Sequence, residues 1–99
     1  MQIIYEYHNL MASQDLERLT REKLEALEKK YEFVHRADVF LKTENRTDDS
    51  EMICEIRLSM PGPRVFASTN AETFETALAE TISDLENQLE KRKEKMKRY

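Results

Sequence analysis

From Asn70 to Tyr99 the chain reads NAETFETALAETISDLENQLEKRKEKMKRY, thirty residues uninterrupted by proline or glycine. Phe74, Ala77, Leu78, Ile82, Leu85 and Leu89 recur at spacings of three and four, the period of one face of an α-helix. The spacing predicts one long amphipathic helix whose apolar half builds a core. Its last nine residues hold Lys91, Arg92, Lys93, Lys95, Lys97 and Arg98 against a single acid, Glu94. An apolar helix therefore passes into a cationic rod.

The rest of the chain supplies a sheet and a second helix. Gln2 to Tyr7 carries two isoleucines and two tyrosines, and reads as a strand with Ile3, Tyr5 and Tyr7 on one face. After a connection over His8 to Ala12, Ser13 is a good N-cap, with Asp15 and Glu17 where the helix dipole favours negative charge. Leu16, Leu19, Leu24, Leu27 and Tyr31 form a helical stripe running to about Lys30. Ala37 to Glu44 alternates, with Ala37, Val39 and Leu41 against Asp38, Phe40 and Lys42. Asn45 to Ser50 is rich in short polar side chains that bond to nearby backbone, and is expected to turn. Glu51 to Leu58 is a third strand, with Met52, Cys54, Ile56 and Leu58 on one face and Ile53, Glu55 and Arg57 on the other. The only glycine lies in Pro61-Gly62-Pro63, a turn because proline fixes φ and glycine accepts positive φ. Arg64 to Ser68 gives a fourth strand with Val65 and Ala67 inward and Phe66 outward.

The order βαβββα leaves few topologies. A strand, helix and strand make a right-handed crossover between parallel strands, and the short turns that follow force an antiparallel meander. The expected fold is α+β: a two-layer sandwich of a four-stranded mixed sheet with both helices on one face and the other face open to water. A chain of 99 residues suits one domain that buries roughly 60–65% of its unfolded surface without metal or disulfide support. Cys54 is the lone cysteine and has no internal partner. The opening MQIIYEYHN lacks the basic and apolar regions of a signal peptide. No segment approaches the ~20 apolar residues of a membrane span. A cytoplasmic, reducing-compartment protein with no membrane partner is expected.

Catalysis has no visible machinery. His8 and His35 lie near expected loops, and no serine, cysteine or acid is tied to either by a recognisable motif. One glycine cannot make a phosphate loop, and one cysteine with two separated histidines does not make a zinc site. No cofactor or small-molecule substrate is expected. Two features point instead to binding. The net charge of −4 hides an asymmetry: residues 1–90 carry ten Lys/Arg and nineteen Asp/Glu, or −9, whereas residues 91–99 carry six and one, or +5. A cationic rod suits a phosphate backbone, although a solvated tail reads the same way. On the open sheet face Ile4, Phe40, Ile53 and Phe66 are expected to align across the four strands. Such a stripe stacks bases, covers a partner, pairs two copies in a weak homodimer, or simply supports neighbouring strands.

Several local strings, in order, resemble one family. The chain opens Met-Gln-Ile in its first strand, and Leu16 to Tyr31 follows a Leu-x-x-x-x-x-x-Lys-Leu-x-x-Leu-Glu-Lys-x-Tyr pattern. Val39-Phe40-Leu41-Lys42 and Val65-Phe66-Ala67-Ser68 end the second and fourth strands. Phe74, Ala77-Leu78, the Leu85 to Leu89 element Leu-x-x-Gln-Leu and a lysine-rich end complete the match. Nearly the whole length resembles the short ribosome hibernation-promoting factors, also called ribosome-associated inhibitor or sigma-54 modulation proteins.

The resemblance implies a non-enzymatic protein. Its members bind the small ribosomal subunit in the channel where messenger and transfer RNA meet the decoding region, and keep idle ribosomes out of translation. Longer members add a C-terminal domain that pairs ribosomes, so residues 1–99 are expected to form a single ribosome-binding domain without that extension. Family contacts to ribosomal RNA come largely from basic residues on the two helices. The matching positions are Lys23, Lys29 and Lys30 on the first helix and Lys91, Lys93 and Lys95 on the second, with Arg92, Lys97 and Arg98 completing the cationic end. The chain departs from the family at Asp84 and Asn87, where relatives commonly carry lysine and arginine. Binding should therefore lean more heavily on the last nine residues.

Overall fold

The computed structural model describes residues 1–45 and 50–96. Its elements run β1 (Gln2–His8), α1 (Gln14–Lys30), β2 (Arg36–Asn45), β3 (Ser50–Ser59), β4 (Val65–Ala71) and α2 (Phe74–Met96). The four strands form one sheet in the order β1-β2-β3-β4. β1 and β2 are parallel, and the β2/β3 and β3/β4 pairs are antiparallel. This is the mixed-sheet α+β sandwich that the order βαβββα predicts.

One sheet face and both helices share a single core. Ala37, Val39 and Leu41 of β2, Cys54, Ile56 and Leu58 of β3, and Val65 and Ala67 of β4 meet Leu24 and Leu27 of α1 and Leu78, Leu85 and Leu89 of α2. Alternation in the strands and three-and-four spacing in the helices bring these residues together, since only those two periods keep an element's apolar side chains on one face. Thr81 is the polar exception. Its hydroxyl donates to one of the oxygens around it, the backbone carbonyls of Cys54 and Ala77 and Thr69 Oγ1, all within 3.2 Å, so a buried hydroxyl is satisfied at the α2–sheet contact. At the other helix, Ser13 caps α1 by accepting from the Leu16 amide, as its position predicts. Tyr7 donates to Glu17 Oε2 at 2.6 Å and Tyr5 to the Glu17 carbonyl at 3.0 Å, pinning the first turn of α1 to β1.

Three sequence expectations need correction. The fourth strand runs on to Ala71 instead of stopping at Ser68, because Thr69, Asn70 and Ala71 stay in register with Cys54, Ile53 and Met52. The last helix accordingly begins at Phe74, not Asn70. Thr73 sets that boundary: its Oγ1 accepts from the Thr76 amide and its carbonyl from the Ala77 amide. Third, the apolar residues of the open face do not align in one cross-strand row. Cross-strand register puts Ile4 beside Asp38, Phe40 between Glu6 and Glu55, Ile53 between Lys42 and Asn70, and Phe66 beside Arg57. Alternation decides which face a side chain takes, but register decides its row, and here each apolar residue is rowed with charged or polar ones. The expected turn over Asn45 to Ser50 has residues 46–49 outside the described residues, although Asn45 and Ser50 themselves are paired in β2 and β3.

The open face is instead a network of ions. Asp38, only 7% exposed, accepts from Arg36 Nη2 at 3.0 Å and lies 3.5 Å from Arg57 Nη2, while the Arg57 guanidinium sits 5.8 Å from the Phe40 ring centroid. Hydrogen bonds from Arg36 hold the Asp38 carboxyl below the usual carboxylate range against the opposing effect of burial. Lys42 Nζ lies 2.6 Å from Glu55, which also accepts from Ser68.

Candidate nucleic-acid interface

Leu89 is the last fully buried residue of α2, and the helix continues over residues 90–96, about 10 Å at 1.5 Å per residue. Seven residues of α-helix present different sides to solvent and to the rest of the chain, so the cations there do not act as one patch. Lys91 and Lys95, four apart, continue the row of Asp84 and Gln88. Gln88 Nε2 in turn donates to the Phe66 carbonyl at 2.8 Å, so this row overlooks β4. Lys91 and Lys95 are exposed and make no ion pair or hydrogen bond among the described residues.

Lys93 lies on the opposite flank, facing the end of α1. It lines a groove with Lys29, Lys30 and Tyr31 on one side and Glu86, Asn87 and Glu90 on the other. Lys93 Nζ stands 5.7 Å from the Tyr31 ring centroid, a cation–π contact. The Tyr31 hydroxyl donates to Glu90 Oε2 at 2.7 Å, and Lys30 Nζ is 3.5 Å from Glu86 Oε1. Burial, together with the neighbouring Glu90 carboxylate, pushes the Tyr31 hydroxyl up to about 12. The groove thus presents three ammonium groups, of which Lys30 is paired with a carboxylate and Lys93 lies over the Tyr31 ring. Lysines are point charges that contact phosphate without reading a base. Tyr31 is buried, so its ring braces the groove and offers no free stacking surface.

The structure gathers Lys29, Lys30 and Lys93 into one groove and leaves Lys91 and Lys95 on a separate ridge of the same helix. Lys23 stands apart from the groove, exposed two turns before Lys30 on the same row of α1. Arg92 is half-buried and differs from the lysines, because its Nη2 donates to the Pro63 carbonyl at 2.8 Å. Lys97 and Arg98 lie outside the described residues. Glu86 and Glu90 are groove residues that sequence patterning did not assign, since nothing in their spacing distinguishes them from an ordinary helix surface, and Tyr31 was legible only as part of the buried stripe of α1. Cys54 offers no nucleophile: it is fully buried, and burial pushes its thiol up to about 11.

The profile of the family described as sigma 54 modulation protein / S30EA ribosomal protein matches residues 3–97. The chain belongs to this family. Members are ribosome-associated proteins, not enzymes. Among solved structures, a ribosomal subunit interface protein from Coxiella burnetii is similar with a TM-score of 0.83 and 20% identity, over 94% of this chain and 98% of that one. The Thermus thermophilus Protein Y N-terminal domain is similar with a TM-score of 0.79 and 22% identity, over 92% and 98%. At these identities the likeness establishes a shared fold. A search of curated proteins finds no match. Among the described residues no helix is long and apolar enough to cross a membrane.

Proposed function

We propose that the protein is a ribosome hibernation factor, which binds the small ribosomal subunit near the decoding region through ribosomal RNA phosphates and inhibits translation in stressed or stationary cells. Residues 1–99 act in the cytoplasm as one ribosome-binding domain. The observation that carries this reading is the convergence of lysines from two elements, Lys29 and Lys30 at the end of α1 and Lys93 on α2, beside the projecting ridge of Lys91 and Lys95. Family membership gives that convergence its partner. A lysine groove between two helices supplies several phosphate contacts at fixed spacing, which sets affinity and orientation without sequence readout. The name of one structural neighbour, a ribosomal subunit interface protein, accords with it. Co-sedimentation with purified small subunits across a salt series tests the proposal: binding at low salt that weakens steeply with added salt is expected, and no binding at the lowest salt sinks it. The rival reading, a homodimer or docking module built on Ile4, Phe40, Ile53 and Phe66, has less support, because register pairs each of those residues directly with a charged or polar one.

A further inference from the structure

We infer that Arg92 is a positioning residue, which clamps α2 onto the turn between β3 and β4 and so aims the cationic ridge, rather than a contact to phosphate. The inference rests on the ribosome-binding reading for its functional half only. Arg92 lies seven residues after Leu85 and three after Leu89, in line with the row that α2 buries against the sheet. Its Nη2 donates to the Pro63 carbonyl at 2.8 Å. Its Nη1 is buried without a hydrogen-bond partner among the described residues, and an added Cβ at Gly62 would stand 3.5 Å from it, ordinary van der Waals contact. Gly62 has φ of +92°, which the turn needs and which glycine adopts without strain. The guanidinium therefore lies against the bare backbone of the turn. A planar, weakly hydrated cation suits that placement better than a lysine ammonium does.

The clamp adds a turn to the anchored part of α2. Without it α2 is last held to the sheet layer at Leu89, and beyond that only Glu90 and Lys93 touch the chain, both at Tyr31 on the α1 side; with it the sheet-side anchor moves to residue 92, within one turn of both Lys91 and Lys95. Helix ends fray, so an anchor one turn from the cations keeps their backbone helical and their spacing fixed before RNA arrives. Such pre-ordering lowers the entropy lost on binding.

The test compares Arg92→Met and Arg92→Lys with wild type by amide hydrogen exchange on the free protein and by salt-dependent binding to purified small subunits. In both variants protection of the amides of residues 93–96 is expected to fall about fivefold, the scale of one lost hydrogen bond, while Leu85 and Leu89 keep theirs. Affinity for the subunit falls severalfold in both, with the slope of log K against log salt unchanged. A slope shallower by about 0.7–0.9 in Arg92→Met identifies a phosphate contact and overturns the inference. So does full affinity in Arg92→Lys with protection still lost, because charge alone would then suffice. Unchanged protection at 93–96 overturns it as well, and so does a uniform loss across the whole chain, the mark of a merely structural bond. Failure of wild type to bind subunits refutes the proposed function. The exchange measurement needs no ribosome and decides the clamp either way.

Discussion

Replacing both ridge lysines, Lys91→Met with Lys95→Met, separates phosphate binding from folding. Both side chains are exposed, lie past the last core leucine, and make no ion pair or hydrogen bond among the described residues. Methionine matches lysine in helix propensity, so the helix itself is not weakened. Stability is expected to change by less than about 0.5 kcal/mol, as for other surface positions without partners. Binding responds differently. Each neutralised phosphate contributes about 0.7–0.9 to the slope of log K against log salt, so losing two contacts flattens the slope by about 1.4–1.8. Taking 1 M salt as the reference, the same exponents give an affinity loss of about 25- to 60-fold at 0.1 M. The assay is co-sedimentation or fluorescence anisotropy with purified small subunits at four or more salt concentrations, with thermal unfolding run on the same samples. Arg18→Met is the control, since Arg18 pairs with Asp15 in the first turn of α1, away from the groove. An unchanged slope, with affinity within about twofold of wild type, refutes the placement of the phosphate contacts on this ridge.

Further outcomes follow from the surrounding structure. Raising the Tyr31 hydroxyl from 10.0 to about 12 favours its neutral form in the fold. That contribution is complete below pH 10 and lost as pH climbs through 12; at 1.36 kcal/mol per unit, wild type should lose about 2–3 kcal/mol over this interval that Tyr31→Phe keeps, read by denaturant unfolding. Asp38 titrates below its ordinary value, so its contribution is present above the unfolded carboxyl pKa and disappears as pH falls through the folded one. Asp38→Asn should cost about 1–2 kcal/mol near pH 7 and weaken the acid dependence, the low figure reflecting two arginines exposed enough to rehydrate. Leu89→Ala empties a fully buried site and should cost about 2–5 kcal/mol in thermal unfolding, the reverse of the ridge variant. Light scattering on Phe40→Ser with Phe66→Ser should match wild type as a monomer at high concentration, whereas a dimer only in wild type would restore the sheet-face reading.

Periodicity carried most of the architecture. Alternation in β2 and β3 and the leucine spacing of α1 and α2 named nearly every residue of the core, because a buried face must repeat at the period of its element. Ends and rows were harder. Asn70 and Ala71 have little strand character of their own, and pairing with Ile53 and Met52 keeps them extended. The stripe failed for a related reason: alternation is blind to register, and a shift of two residues preserves every face while changing every row. The basic residues were visible as types and positions, but not the grouping of Lys93 with Lys29 and Lys30 across two helices. Arg92 did leave a trace, since its place on the row of Leu85 and Leu89 argues for contact with the chain rather than with solvent.

The acidic body then becomes part of how the site works. Residues 1–90 carry −9, and Glu6, Glu44, Glu51 and Glu55 put part of that charge on the open face. A polyanion approaching this face meets repulsion. The ridge of α2 escapes it by distance. Lys95 lies about 9 Å of helix beyond Leu89, about one Debye length at physiological salt, so the body's charge is partly screened there. An electrostatic field of this shape steers RNA to one end of the molecule and rejects broadside docking. Asp84 reinforces the limit, because it puts a negative charge on the ridge row and so stops favourable contact from spreading back along α2. On the proposed function the footprint on RNA centres on the end of α2 and the adjoining groove, and its affinity rests on few cations. For such an interface the helicity and direction of the last turns matter as much as their charge.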